Sequence, residues 1–309
     1  KYIENFKRML MTRTIKELEK EFLSGKNISQ LMREERNIDF NTSEIIEVCY
    51  ELQTGEYQKK WANEELSSFY ERFTKEIADI ILNFNIPKSI LEAGIGEATT
   101  FVKVLKHLNI KNLDAFGFDI SWSRTFFAKK LIEKEKISNV NLCTGNLLDI
   151  PFLDNSIDLV YTYHSIEPNR GNEENILKEL YRVAKNYLIL FEPDYENTTE
   201  DNRSRMDSLG YARGLEYISK KLHYDVVYRG KFENNLNEKN PTTIIVIKKD
   251  NNFNQNNSYF ACPFNKTEII KDEKENLYFG VDSKLIYPII KGIPCLRKDN
   301  GILATKYEL

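Results

Sequence analysis

The sequence predicts an α/β fold: a mostly parallel, doubly wound sheet with helices on both faces, preceded by a helical extension and followed by a small α+β module. Three observations predict it. After Pro87, short β-prone runs alternate with helical ones as far as Phe191, the texture of parallel strands joined by right-handed crossovers. The run Glu92-Ala93-Gly94-Ile95-Gly96 places two glycines where a buried strand turns into a helix, so that backbone can approach a ligand closely. The strand-like runs 224–228 and 242–247 are separated only by the polar, Asn-rich segment 233–240, and should pair as an antiparallel hairpin.

In chain order, Ile15, Leu18 and Phe22 have helical spacing and stop at Ser24-Gly25, a peripheral helix. Thr42 or Ser43 caps a helix through Leu52, residues 53–57 break it, and 61–84 resume an amphipathic pattern. The strands that follow are expected at 89–91, 113–118, 140–143, 157–161 and 187–191. Helices are expected near 99–108, 123–134 and 173–184, with a further one over 202–213. Residues 250–258 read as a linker. With 309 residues, about two domains and an extension are expected: 1–85 helical, 86–250 the sheet domain, 259–309 the module.

Composition narrows the function. Hydrophobic residues at 41%, including 18 Phe and 17 Tyr, supply a core and exclude wholesale disorder. A net charge of -3 gives no global basic field, so a bulk nucleic-acid partner is not expected. No stretch is long and apolar enough to span a membrane, and the start lacks a signal-peptide pattern. The 4 cysteines are scattered without a Cys-x-x-Cys pair, which argues against a disulfide framework and for a reduced, cytoplasmic setting.

Glu92 closes the first strand two residues before Gly94, where a carboxylate can accept from a ligand ammonium. Asp119 ends the next strand about 20 residues beyond the glycines, the separation at which an acid meets the hydroxyls of a ribose. Then come Gly145-Asn146-Leu147-Leu148-Asp149-Ile150-Pro151-Phe152 and Asp154-Asn155-Ser156-Ile157-Asp158. This succession resembles the class I S-adenosylmethionine-dependent methyltransferase family over residues 43–249. The resemblance implies a Rossmann-like seven-stranded sheet closed by an antiparallel strand, with S-adenosyl-L-methionine as cofactor. It implies that Glu92, Gly94 and Gly96 approach the methionine part, that Asp119 grips the ribose, and that Asn146 and Leu147 face the adenine edge. Asn146 stands where the family has Asp, so that contact lacks a charge. Tyr57 sits where family members close an aromatic over the cofactor; covering a sulfonium and packing under the cap are both open to it. Asp149, Asp154 and Asp158 read as turn, cap and strand-start carboxylates.

Past the fourth strand the chain reads Tyr161-Thr162-Tyr163-His164-Ser165-Ile166-Glu167-Pro168-Asn169, and the fifth ends Phe191-Glu192-Pro193-Asp194, both at the carboxyl edge where open α/β sheets bind ligands. His164, Glu167 and Glu192 are the candidate catalytic residues, with neutral imidazole able to take a proton from a hydroxyl or amine. A histidine merely bonded to neighbouring backbone is the alternative for His164. Asn169, Asp194, Arg203 and Tyr211 are candidate acceptor contacts, an arginine there serving as a clamp for carboxylate or phosphate or as part of a solvated face. His107 and His223 read as structural.

The C-terminal runs Ala261-Cys262-Pro263-Phe264-Asn265 and Tyr287-Pro288-Ile289-Ile290-Lys291-Gly292-Ile293-Pro294-Cys295 resemble the small zinc-ribbon-like tRNA-methyltransferase activator domain. Asn265 replaces its second thiolate, so no metal is expected, and the module would be a lid wall, an interaction domain or a dimer contact. The expected function is transfer of a methyl group to an oxygen or nitrogen of a small polar metabolite or sugar derivative. Rivals are an RNA or protein methyltransferase, an NAD-dependent oxidoreductase using the same turn, and a non-catalytic scaffold.

Overall fold

The computed structural model describes residues 13–235, 237–249 and 258–309. Residues 1–12, and most of the linker read at 250–258, lie outside the described residues. The chain opens with α1 (Ile15–Leu23), started by a Thr14–Glu17 capping box, and α2 (Ile28–Arg36), started by Asn27. The second of these has no counterpart in the sequence reading, because its two strongest signals are an isolated cap and a left-handed stop at Asn37 rather than a long apolar stripe. Thr42 accepts from Ile45 N–H to start α3 (Ser43–Leu52). Gly55, with φ +92°, turns the chain directly into α4 (Glu56–Trp61), so the expected break is a single tight turn. Leu18, Ile28, Met32, Ile45 and Val48 give this cap a small core of its own. The amphipathic helix α5 (Ser67–Phe84) follows, burying Phe73, Ile77 and Ile81 on one face.

The sheet region then runs β1 (Ser89–Ala93), α6 (Thr99–Leu108), β2 (Asp114–Asp119), α7 (Trp122–Lys134), β3 (Val140–Thr144), β4 (Ile157–Tyr163) and α8 (Glu173–Val183). After it come β5 (Ala184–Pro193), α9 (Glu200–Leu209), α10 (Leu215–Lys221), β6 (Asp225–Lys231) and β7 (Thr242–Lys248). The strand order is β3-β2-β1-β4-β5-β7-β6, with β7 antiparallel to both neighbours. This is the Rossmann-like arrangement closed by an antiparallel strand. All five residues of β1 are buried, as a strand covered on both faces must be. Side chains alternate between two cores: Leu91, Phe116, Val160 and Leu188 on one face, Ile90, Ala115, Leu159 and Ile189 on the other. The order reverses beside β1, whose neighbours are β2 and β4, and that switch point opens a crevice at the carboxyl ends.

The C-terminal residues form β8 (Ile270–Asp272), β9 (Leu277–Gly280), β10 (Leu285–Ile290), β11 (Ile293–Pro294) and β12 (Ile302–Leu303) in a small antiparallel sheet. Its Cys262, Ile269, Tyr287 and Leu296 share the buried cluster that contains Phe116 and Cys143. Tyr259 packs at a tilt against Phe116 (centroids 4.4 Å apart) and Phe260 against Phe152 (5.1 Å), while Cys295 forms an isolated β-bridge with Thr144 at the end of β3. The module therefore packs against the C-terminal end of β3, the outer edge strand of the main sheet.

The zinc-ribbon likeness expected of the C-terminal runs finds no support in the arrangement of its cysteines. Cys262 Sγ lies 3.2 Å from the Tyr287 hydroxyl, whereas Cys295 Sγ donates to the Ile293 carbonyl at 3.7 Å. Among the described residues no group of three or more His, Cys, Asp or Glu is arranged to hold a metal. Nor is any described helix long and apolar enough to cross a membrane.

Candidate functional site

A cavity of about 580 Å³ occupies the crevice. One end is built from the turn after β1. Gly94 and Gly96 have φ of +82° and +56°, and a Cβ on Gly94 would meet Ser165 Cβ at 2.3 Å. The backbone N–H groups of Gly94 and Ile95 both donate to Phe118 O at 2.9 Å, tying this turn to β2. Asp119 is buried, and its carboxylate accepts from Gly96 N–H and Ser121 N–H, each at 2.9 Å. One acid thus locks the glycine turn and the start of α7 while still facing the cavity.

Glu92 is 3% exposed and opposite Tyr161 in the β1–β4 register, which explains the 2.7 Å hydrogen bond from the Tyr161 hydroxyl to its Oε2. Burial pushes its pKa up to about 8 despite that bond. The side chain is thus a neutral acid at pH 7 until a cation arrives.

The cap supplies the roof. Tyr50 of α3 and Tyr57 of α4 line the cavity, and the Arg124 guanidinium lies 4.7 Å from each ring centroid. Glu97, fully inside, accepts from the Gly55 and Gln58 N–H groups at 2.8 and 3.1 Å and so holds the start of α4. Asn146 lines the same end, but its amide donates to Ser43 Oγ (3.0 Å) and its carbonyl accepts from Leu148 N–H (3.0 Å); Leu147 lies beside it.

The far end collects His164, Glu167, Asn169, Arg205, Tyr211 and Asn240. His164 has φ +51° and donates its backbone N–H to Phe191 O. Its Nε2 is 2.7 Å from Thr242 Oγ1 and its Nδ1 is 3.1 Å from Glu167 Oε2. Burial alone would depress the imidazole pKa, but the hydrogen bond and charge of Glu167, with the charge of Glu192, together raise it above the ordinary value. Asn240 Nδ2 also donates to Glu167 Oε2 at 3.2 Å. Tyr211, half-buried, has its hydroxyl pKa raised, chiefly by burial and then by Glu167.

Three candidates from the sequence lie elsewhere. Glu192 is buried behind the cavity, accepting from the Ser165 and Ile166 N–H groups at 3.1 and 3.2 Å, so it braces the His164 loop; burial raises its pKa to about 7. Asp194 pairs with Arg229 at 3.0 Å, and Arg203 pairs with Glu200 at 3.2 Å on the outer side of α9. Arg205, two positions on, is the arginine of that helix that reaches the cavity, and its Nη1 is buried without a hydrogen-bond partner. The sequence reading did not select Tyr50, Glu97, Arg124, Arg205, Asn240 or Thr242. Tyr50 and Arg124 sit on helices flanking the motif and were within reach of a helical-face argument; Asn240 and Thr242 arrive from a distant hairpin with no local signal.

The described carboxyls fit the chemistry of a cofactor carrying an ammonium and a ribose. Glu92 is a buried acid bonded to a tyrosine hydroxyl, Asp119 is a second buried acid lining the cavity, and the glycines leave a cradle that a Cβ would fill.

Residues 90–187 match a family model described as a methyltransferase domain. Ajmaline N-methyltransferase from Rauvolfia serpentina is 31% identical over 99 residues, 32% of this chain and 33% of the relative. Demethylmenaquinone methyltransferase from Geobacillus sp. (strain WCH70) is 32% identical over 118 residues, 38% of this chain and 50% of the relative. The match thus spans about half the length of these curated relatives or less. Magnesium protoporphyrin IX methyltransferase from Synechocystis PCC 6803, solved with bound S-adenosylhomocysteine, shares the fold with a TM-score of 0.53 at 11% identity, over 68% of this chain and 100% of that one. Residues 90–187 are therefore similar to a methyltransferase domain, within a sheet that shares the fold of the Synechocystis enzyme.

Proposed function

We propose that this chain transfers a methyl group from S-adenosylmethionine to an oxygen or nitrogen of a small polar acceptor. The observation that carries the reading is the convergence of Glu92, the Gly94–Gly96 turn and Asp119 at one end of a single roofed cavity whose other end presents Glu167, Tyr211 and Arg205. When bound, the cofactor supplies an electrophilic methyl group on a sulfonium.

The protein's own part is positioning. Glu92 would take the ligand's ammonium and ionise in doing so, Asp119 would accept from the ribose hydroxyls, and Tyr50 and Tyr57 would exclude water from above. At the acceptor end Glu167 is the base we assign: its carboxylate would take the proton that the acceptor's oxygen or nitrogen gives up on methylation. His164, held by Thr242 on one nitrogen, keeps Glu167 oriented through the other. Asn169, Tyr211 and Arg205 would orient the acceptor, the last favouring one with an anionic group. The expected division of the chain, 1–85 as cap, 86–250 as catalytic domain and 259–309 as module, belongs to this proposal, as do a cytoplasmic setting and the absence of zinc.

Titration calorimetry with S-adenosylhomocysteine and with NAD tests the cofactor half. Micromolar binding of the first and none of the second is expected; the reverse would overturn the reading in favour of an oxidoreductase. Labelled S-adenosylmethionine offered with hydroxy- and amino-acceptors, charged and uncharged, tests the acceptor half.

A further inference from the structure

The C-terminal module reaches the backbone beside the Asp119 end of the cavity through Arg297. Arg297 is 9% exposed. Its Nη1 donates to the Ile120 carbonyl at 3.1 Å and lies 2.5 Å from Glu47 Oε1, and its Nη2 is 2.8 Å from Asp299 Oδ2. Ile120 follows Asp119 and lines the cavity. Glu47 is on α3, one turn before Tyr50 and Glu51, and Glu51 in turn accepts from Ser121 Oγ and Ser123 N–H at 2.9 and 3.1 Å. The short connection between β2 and α7 is therefore gripped from two sides, by the cap through Glu51 and by the module through Arg297. The neighbouring loop after β3 is held as well, since Thr144 bridges Cys295, and Lys129 of α7 donates to the Lys291 carbonyl at 2.8 Å.

Resting on the cofactor reading above, we infer that Arg297 is a positioning residue for the adenosyl half of the cofactor, and that the C-terminal module is part of the frame of that subsite. A planar guanidinium can serve a carbonyl and two carboxylates at once, because its donors are fixed in a fork; an ammonium on a flexible stem cannot hold all three. Loss of Arg297 frees the Ile120 backbone and removes the guanidinium from beside Glu47, which is only 21% exposed. Both changes act where Asp119 and Ile120 would meet the ribose and base, and neither acts at Glu92.

Calorimetry on the full chain, with S-adenosylhomocysteine and with adenosine as separate ligands, tests this. Arg297→Ala should weaken both ligands by the same factor, about tenfold, because the lost contact serves the half they share. Arg297→Lys should restore part of the loss, and Glu47→Gln should cost less than Arg297→Ala. A role confined to holding the module in place would lower the melting temperature and leave both affinities unchanged. That outcome, or S-adenosylhomocysteine weakened with adenosine unaffected, overturns the inference. If Arg297→Ala does not fold, wild-type affinity for both ligands in Arg297→Lys and Glu47→Gln overturns it instead. A wild-type chain that binds neither ligand overturns the cofactor reading and this inference with it; a wild-type chain that binds, with variants that bind equally, overturns this inference alone.

Discussion

The two ends of the cavity are built in different ways. The end that carries Glu92, Gly94, Gly96 and Asp119 comes from one uninterrupted β-turn-α-β passage, whose parts fix each other by hydrogen bonds such as Gly94 N–H to the Phe118 carbonyl and Gly96 N–H to the Asp119 carboxylate. The end that carries Glu167 is assembled from the β4 loop, from α9 and its following turn, and from the hairpin before β7, and its order depends on side chains from all of them. A site made by contiguous chain tolerates little change in backbone and can be read from spacing. A site made by convergence can exchange side chains while the fold stays, which is how one framework accommodates different acceptors.

The largest expected effect breaks the first end outright. Gly94→Ala puts a Cβ where Ser165 already sits and at a φ that L-residues avoid, so it should destabilise folding by about 2–4 kcal/mol and abolish S-adenosylhomocysteine binding. Urea unfolding of this variant should show its midpoint lowered; a wild-type midpoint would mean the turn is looser than described. Next, Asp119→Ala should weaken S-adenosylhomocysteine by about 1.5–3 kcal/mol in calorimetry, the range for a hydrogen bond to a charged group. Glu167→Gln should lower turnover while leaving S-adenosylhomocysteine affinity within about threefold, which would separate the two ends functionally. Equal losses of affinity and turnover would merge them into one unit.

The pH dependence sharpens the same contrast. Glu92 in the folded chain holds its proton up to about pH 8, so binding an ammonium near neutrality should release that proton, and affinity should rise with pH until about 8. Calorimetry in buffers of different ionisation enthalpy measures the release, and Glu92→Gln should abolish it. Glu92 and Glu192 both have raised values, about 8 and about 7, and both therefore bind protons more tightly folded than unfolded. In the ligand-free protein their contribution to stability should accordingly fall as pH rises from about 4.5 through 8, as should that of His164 above its ordinary value, and thermal unfolding across that window checks the sign. The smallest effect concerns the module: with Asn265 in place of a thiolate, elemental analysis should find no stoichiometric zinc, and a chelator should leave the melting temperature unchanged.

Much of the first end was legible because its signals are local. A helix over 99–108 was expected and Thr99–Leu108 is helical; Gly94 and Gly96 were chosen for backbone freedom and both have positive φ. The antiparallel hairpin was read from the absence of a helix between its strands, and β7 pairs antiparallel with β6. What escaped was non-local or weakly patterned. The short helix Leu215–Lys221 has one buried apolar residue, Leu215, and begins at a left-handed Gly214, too little for a periodicity argument. On α9 the sequence could not say which arginine points inward; Arg203 and Arg205 differ by about 200° around a helix, and packing places Arg205 at the cavity. Glu192 was chosen for its place at a strand end, but its carboxylate is turned toward backbone amides of the neighbouring loop.

The place of β7 between β5 and β6 also sets an order of events in time. Until residues 242–248 are available, β5 has one side of its backbone unpaired, although Leu188, Leu190 and Phe191 on it belong to the two cores. As the chain is synthesised, the parallel half of the sheet can form while that apolar edge waits for a strand from about 50 residues downstream, the kind of delayed pairing that slows folding and exposes a chain to its neighbours. Thr242, at the start of β7, is also the hydroxyl that holds His164. The acceptor end is thus completed only by the strand that closes the sheet, and a nascent chain has a finished glycine turn before it has a finished place for the molecule to be methylated.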